Sequence, residues 1–106
     1  MNTAVIRNRE ELHEALCSIL GSRHVYFQPP ETVRMVYPAI VYERSDIRPY
    51  HADNGVYNHT HHYSLTVIDP DPDSKIVEHV ANLPKCRFNR HFATEGLNHD
   101  IFTIFY

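Results

Sequence analysis

The sequence predicts a single α+β domain, in which two α-helices pack on one face of a mainly antiparallel β-sheet. Its length of 106 residues is typical of one domain, and its 42% hydrophobic and 22% charged residues are ordinary for a globular fold. Apolar residues recur with a helical period in two segments and alternate in several others. We therefore expect the order helix, strands, helix, strands, with residues 1–106 forming one domain.

The first helix is predicted to begin after Asn8 and to end at Gly21. Asn8 can cap the helix N-terminus, and Glu11 follows three residues later, as in a capping box. Gly21 suits the left-handed conformation that ends many helices. The apolar stripe between these two ends consists of Leu12, Ala15, Leu16, Ile19 and Leu20.

Extended segments are predicted at residues 24–27 and 38–44, with a proline pair between them. Residues 46–58 are predicted to form a polar loop, which contains the turn signal "DNG". A strand over residues 56–68 follows. Its first half is polar on both faces and its second half is apolar on one face, so we expect it to run from solvent or a partner into the core.

Residues 69–74 break this strand and lead into the second helix, which Pro84 ends. A strand at residues 86–92, a turn at 95–98 and a mostly buried strand at 101–106 complete the domain. The buried face of the second helix is predicted to contain Ile76, Val77, Val80 and Leu83.

Three histidines stand close together in the stretch "YNHTHHYSL", and the whole chain has nine. His59 and His61 fall on one face of a strand, about 6.5–7 Å apart, and could share a zinc ion if a third ligand arrived from elsewhere. None of the candidates for that third ligand follows a recognised spacing such as HExxH. The candidates for the third ligand are His51, His62, His91 and His99. We therefore predict a solvated or interface strand end without metal.

Sequence signals for nucleic-acid binding, nucleophilic catalysis and cofactor binding are weak or absent. Residues 87–92 interleave basic and aromatic side chains as an RNA-binding strand does, but the net charge of −3 disfavours nucleic acid, and Phe88 and Phe92 are predicted to face the core. Cys17 and Cys86 are expected to be free thiols. The chain has three glycines and no GxSxG, phosphate-loop or GxGxxG motif, so no catalytic residue and no cofactor is predicted. No signal peptide or membrane span is recognisable, so we expect a soluble protein made in a cytoplasm.

The layout as a whole resembles the small tail-completion, or tail-terminator, proteins of long-tailed bacteriophages, which are also called minor capsid or neck proteins. The similarity covers nearly the whole chain, from about Glu10 to Tyr106. Its most characteristic stretches are "YPAIVY" at residues 37–42 and "GLNHDIF" at residues 96–102.

The resemblance implies a structural virion protein of the tail or neck, without catalytic residues, that is assembled in the host cytoplasm. It implies a homo-oligomer, a hexameric ring that caps the tail tube and contacts the tail-tube protein and a neck or head-completion protein, while DNA passes through. Ring contacts join different patches of neighbouring subunits. Residues 47–58 and 59–62 mix aromatic and hydrogen-bonding side chains, as interfaces do. The candidate interface residues are Arg48, Tyr50, His51, Tyr57, His59, His61 and His62.

Alternatives remain open from the sequence. A neck adaptor or head-closure protein of the same connector would share this layout. A metal enzyme that uses His59 and His61 would bind metal tightly and stoichiometrically. A small binding module would stay monomeric or dimeric and would bind a host protein rather than tail-tube subunits.

Overall fold

The computed structural model describes the backbone of residues 6–52 and 55–106, and the side chains of residues 6–47 and 60–106. It confirms the predicted α+β class, with two helices and a five-stranded sheet. The elements in chain order are α1 (Arg9–Leu20), β1 (Val25–Phe27), β2 (Ala39–Ala52), β3 (Gly55–Asp69), α2 (Lys75–Ala81), β4 (Cys86–Thr94) and β5 (Leu97–Phe105).

The strands lie in the order β1-β2-β3-β5-β4. All neighbouring pairs are antiparallel except β1 and β2, which are parallel and pair over only three residues of each strand. The sheet is therefore mixed, and β4 forms one edge along its whole length. The other edge is β1 for a short distance only, because β2 continues well beyond it.

The first helix begins at its predicted cap, and the second begins directly after residues 69–74, as expected. The side chain of Asn8 accepts a hydrogen bond from the backbone N–H of Glu11 at 2.9 Å, and Gly21 ends α1 in the left-handed region at φ 79°. Ser74 caps α2 by accepting from the N–H of Ile76 at 3.2 Å. Local capping chemistry thus sets both helix starts where the sequence indicates.

The core lies between the helices and one face of the sheet. Leu12 and Leu16 of α1 and Val80 of α2 are fully buried there. Alternate residues of the three central strands meet them from the sheet, as the pleat requires. These sheet residues are Ile40, Tyr42, Tyr63, Leu65, Val67, Phe102 and Ile104.

The predicted loop at residues 46–58 is wrong. β2 and β3 continue through this segment and pair from Ala39↔Ile68 to Ala52↔Gly55. The two strands end on either side of residues 53 and 54, which lie outside the described residues together with any turn they form. The prediction was wrong because it took the polar composition as evidence for a loop. The hydrogen bonds between paired strands are made by the backbone and need no apolar face.

The predicted burial of Phe88 and Phe92 is also wrong, since their side chains are 57% and 39% exposed. β4 is an edge strand, so Phe88 has a neighbour on one side only and meets Phe102 edge-on at 5.6 Å. A bulge between Phe88 and Arg90 then reverses the alternation. Phe92 consequently lies on the opposite face of the sheet, where it stacks on His99 at 4.6 Å.

Candidate assembly interface

The long pairing of β2 with β3 produces a two-stranded ribbon that extends past the rest of the sheet. We define the ribbon as residues 47–52 and 55–60. β1 pairs with β2 only as far as Tyr42, and β5 pairs with β3 as far as His62, with one further backbone exchange between His61 and Tyr106. Within the described backbone, no third strand flanks the ribbon on either side.

Two irregularities shape the ribbon. The register shifts between Arg44 and Asp46, and again between Tyr50 and His51. A bulge places two residues of one strand opposite one residue of its partner and increases the local twist. After the first bulge Ile47 pairs with His61, which places it on the helix-side face, yet it is 40% exposed and lies outside the core cluster.

The register brings the predicted interface residues into this one ribbon and its base. Arg48 pairs with Thr60, and Tyr50 pairs with Asn58. Five predicted residues have side chains outside the described residues, so their contacts stay a prediction: Arg48, Tyr50, His51, Tyr57 and His59.

His61 and His62, at the base of the ribbon, lie on opposite faces of the sheet. The ring of His61 stacks on Tyr106 at 5.6 Å between centroids. Tyr106 in turn stacks on Tyr63 and donates a hydrogen bond to its hydroxyl oxygen at 3.1 Å. Burial, with this hydrogen bond, raises the pKa of Tyr106. On the other face His62 stacks on Phe105 at 5.2 Å.

This arrangement bears on the metal hypothesis. Because His61 and His62 point to opposite faces, they cannot bind the same ion. Among the side chains that the structure describes, no three histidine, cysteine, aspartate or glutamate residues converge as a metal site requires. The side chain of His59 lies outside that set.

A polar cluster between α1 and β2 was not predicted. The hydroxyl of buried Tyr42 lies 2.8 Å from Nδ1 of His13. Burial lowers the pKa of His13, and the nearby Arg23 and Arg9 lower it further, while burial raises the pKa of Tyr42. The guanidinium of Arg9 covers the ring of Phe27 at 4.5 Å. The contacting residues are 29 positions apart, so no local sequence pattern could indicate the pair.

The cluster borders an open cleft of about 290 Å³ on the surface of α1, lined by Arg9, Glu10, His13 and Glu14. All four lining side chains come from one helix. Glu14 is held in a two-fold hydrogen-bonded ion pair by Arg23, at 2.9–3.0 Å. The hydrogen bond between His13 and Tyr42 joins α1 to β2 beside this cleft.

Both cysteines are free, as predicted. Cys17 is buried in α1 and Cys86 is half-buried at the start of β4. Burial raises the pKa of the Cys86 thiol to about 11 and also raises that of Cys17. Both thiols are therefore protonated at neutral pH, which disfavours nucleophilic chemistry.

Compared with known proteins, the chain matches no family model and no curated protein sequence. Over the described residues, no helix is long and apolar enough to cross a membrane.

Proposed function

We propose that this protein is a structural component of a phage tail or head-tail neck, where it assembles into a ring that terminates the tail tube and joins it to the head. The observation that carries the proposal is the ribbon, together with the resemblance of the sequence layout to tail-terminator proteins. An isolated two-stranded ribbon is marginal in water, because it cannot cover its own faces. A neighbouring subunit would supply that cover.

In the proposed assembly the ribbon of one subunit binds a different patch on its neighbour, which is a heterologous contact. Contacts of this kind repeat head to tail and close into a ring when the rotation between neighbouring subunits closes. The exposed Ile47 at the base of the ribbon is an apolar anchor for such a contact. The net charge of −3 suits a channel through which DNA slides, because phosphate is repelled.

Native mass spectrometry over a concentration series tests the ring and reads bound metal in the same spectra. We expect a metal-free species that approaches six subunits as concentration rises. Ile47→Asp should raise the concentration needed for assembly at least tenfold, because it places a charge in the contact. Val36→Asp is the matched control, since Val36 is a 54% exposed apolar residue outside the ribbon.

Equal effects of the two substitutions on assembly would show that the ribbon is not part of the contact between subunits. A metal-free monomer at every concentration, with no binding to tail-tube subunits, would overturn the proposal. One metal per chain that survives desalting would favour the histidine-ligated enzyme instead.

A further inference from the structure

The sheet face turned away from α1 and α2, here called the open face, has an uncharged centre. Its central side chains belong to β3 and β5 and are half-buried except for the buried Ile68. They include no aspartate, glutamate, lysine or arginine. These eight residues are Ile68, Thr66, Ser64 and His62 of β3, and His99, Ile101, Thr103 and Phe105 of β5.

Charged side chains flank this centre on both sides, with opposite signs. On the β4 side, Lys85 lies over the ring of Phe105 at 5.6 Å and Arg90 lies over Phe92 at 5.5 Å. Arg87 pairs with Thr103 between them. Residues 85–94 contain no acidic side chain, although the chain as a whole carries a net charge of −3.

The opposite flank is acidic over the described residues. Glu43 pairs with Ser64, and Asp46, which follows the bulge, pairs with His62, so the register places both on the open face. Residues paired from strand to strand therefore form one row across the sheet, in the order Glu43, Ser64, Thr103 and Arg87. Glu43 and Arg87 stand three strand spacings apart, about 14 Å, which is too far for an ion pair within one chain.

An uncharged, aromatic-containing centre with a charged rim is the composition of a protein–protein interface. The distribution of charge identifies the partner. A two-fold axis parallel to the strands places the open face of one copy on that of another and turns the basic flank against the acidic flank. An axis across the strands would instead oppose like charges. We propose that the open face binds the open face of a second copy about the strand-parallel axis.

The expected contact is small. Four strands at about 4.8 Å and seven residues at about 3.3 Å span roughly 450 Å² on each copy, or about 900 Å² in total. Interfaces of this size are at the low end for specific complexes. The two sheets would pack about 10 Å apart, close to aligned, as in a β-sandwich. This dimer does not use the ribbon contact.

Charge reversal tests the proposal without disturbing the fold, because Glu43 and Arg87 are exposed and neither has an ion-pair partner among the described side chains. Sedimentation velocity should be run on the full chain carrying Ile47→Asp, so that any ring contact through the ribbon is removed first. Glu43→Lys and Arg87→Glu should each raise the dimer dissociation constant at least tenfold, since a two-fold dimer contains each pair twice. The double variant should recover to within threefold of the parent.

Arg44→Glu is the matched control, because Arg44 pairs with Tyr63 and follows the helix-side face of the same strand. It should leave the dissociation constant within twofold. Single reversals without effect, or a double variant no better than the singles, would overturn the proposal. So would a parent that stays monomeric and binds a single-stranded oligonucleotide through Arg87, which would assign the basic flank to nucleic acid.

Discussion

At the scale of single residues, the contact between His13 and Tyr42 couples the helix layer to the sheet. Tyr42 is fully buried, and its hydroxyl is hydrogen-bonded to Nδ1 of His13 at 2.8 Å. Burial disfavours the charged imidazolium of His13, and the positive charges of Arg23 and Arg9 disfavour it further, while Glu14 acts in the opposite direction; the net effect lowers the pKa of His13. The folded chain therefore disfavours protonation at this site.

Because the pKa of His13 is lowered in the folded protein, the unfolded chain binds more protons as the pH falls, and stability falls with it. We expect the free energy of unfolding to decrease between pH 7 and pH 5, and His13→Gln to make this decrease shallower. Urea unfolding at several pH values measures this decrease in the free energy of unfolding. His79→Gln, at an exposed position of α2, should keep the slope of the parent, and an unchanged slope for His13→Gln would contradict the assignment.

At the scale of elements, helix ends depend on local chemistry and can be tested one residue at a time. Asn8→Ala removes the acceptor for the N–H of Glu11 and should lower the free energy of unfolding by about 1 kcal/mol. Ser18→Ala, at an exposed interior position of α1, should be neutral or slightly stabilising. Chemical denaturation of both variants measures the change in the free energy of unfolding. Equal changes would mean that the Asn8 cap contributes nothing to stability.

Features that depend on short-range sequence patterns could be predicted, and features that depend on a partner strand could not. Both helix starts, the class of the fold and the hairpin turn near Gly96 follow from short-range patterns, and Glu95 and Gly96 have the positive φ angles of 53° and 76° that such a turn requires. The bulges in β2 and β4 have no comparable signal, because the partner strand decides where an extra residue is accommodated. The length of the ribbon and the positions of Phe88 and Phe92 were therefore missed.

For the candidate interface, the choice of segment stays a prediction, and the loop conformation predicted for it was wrong. Mixed aromatic and polar composition at residues 47–62 indicated a contact surface, and the register places that segment in one ribbon. The open face was not recognised at all. Its opposed charged flanks arise only when β2, β3, β5 and β4 lie side by side, in an order that the chain does not show by itself.

At the scale of the whole molecule, the ribbon and the open face are separate surfaces joined at His61 and His62. His61 is on the helix-side face beside Tyr106, and His62 is on the open face beside Phe105. Both side chains are half-buried in the single chain. A subunit that covers either face would bury one of these rings further, and the cost of charging it would then oppose assembly.

Assembly is therefore expected to weaken between pH 7 and pH 5.5 if His59, His61 or His62 is buried neutral between subunits. Burial of a neutral imidazole between subunits disfavours its charged form, so a fall in pH, which favours that form, favours the separated chains. Native mass spectrometry of the parent, His61→Gln and His62→Gln across this range measures the effect. The variant at the responsible position should lose the pH dependence, His79→Gln should retain it, and circular dichroism at each pH separates dissociation from unfolding. Assembly that stays constant from pH 7 to pH 5.5 would show that no histidine in this stretch is buried between subunits.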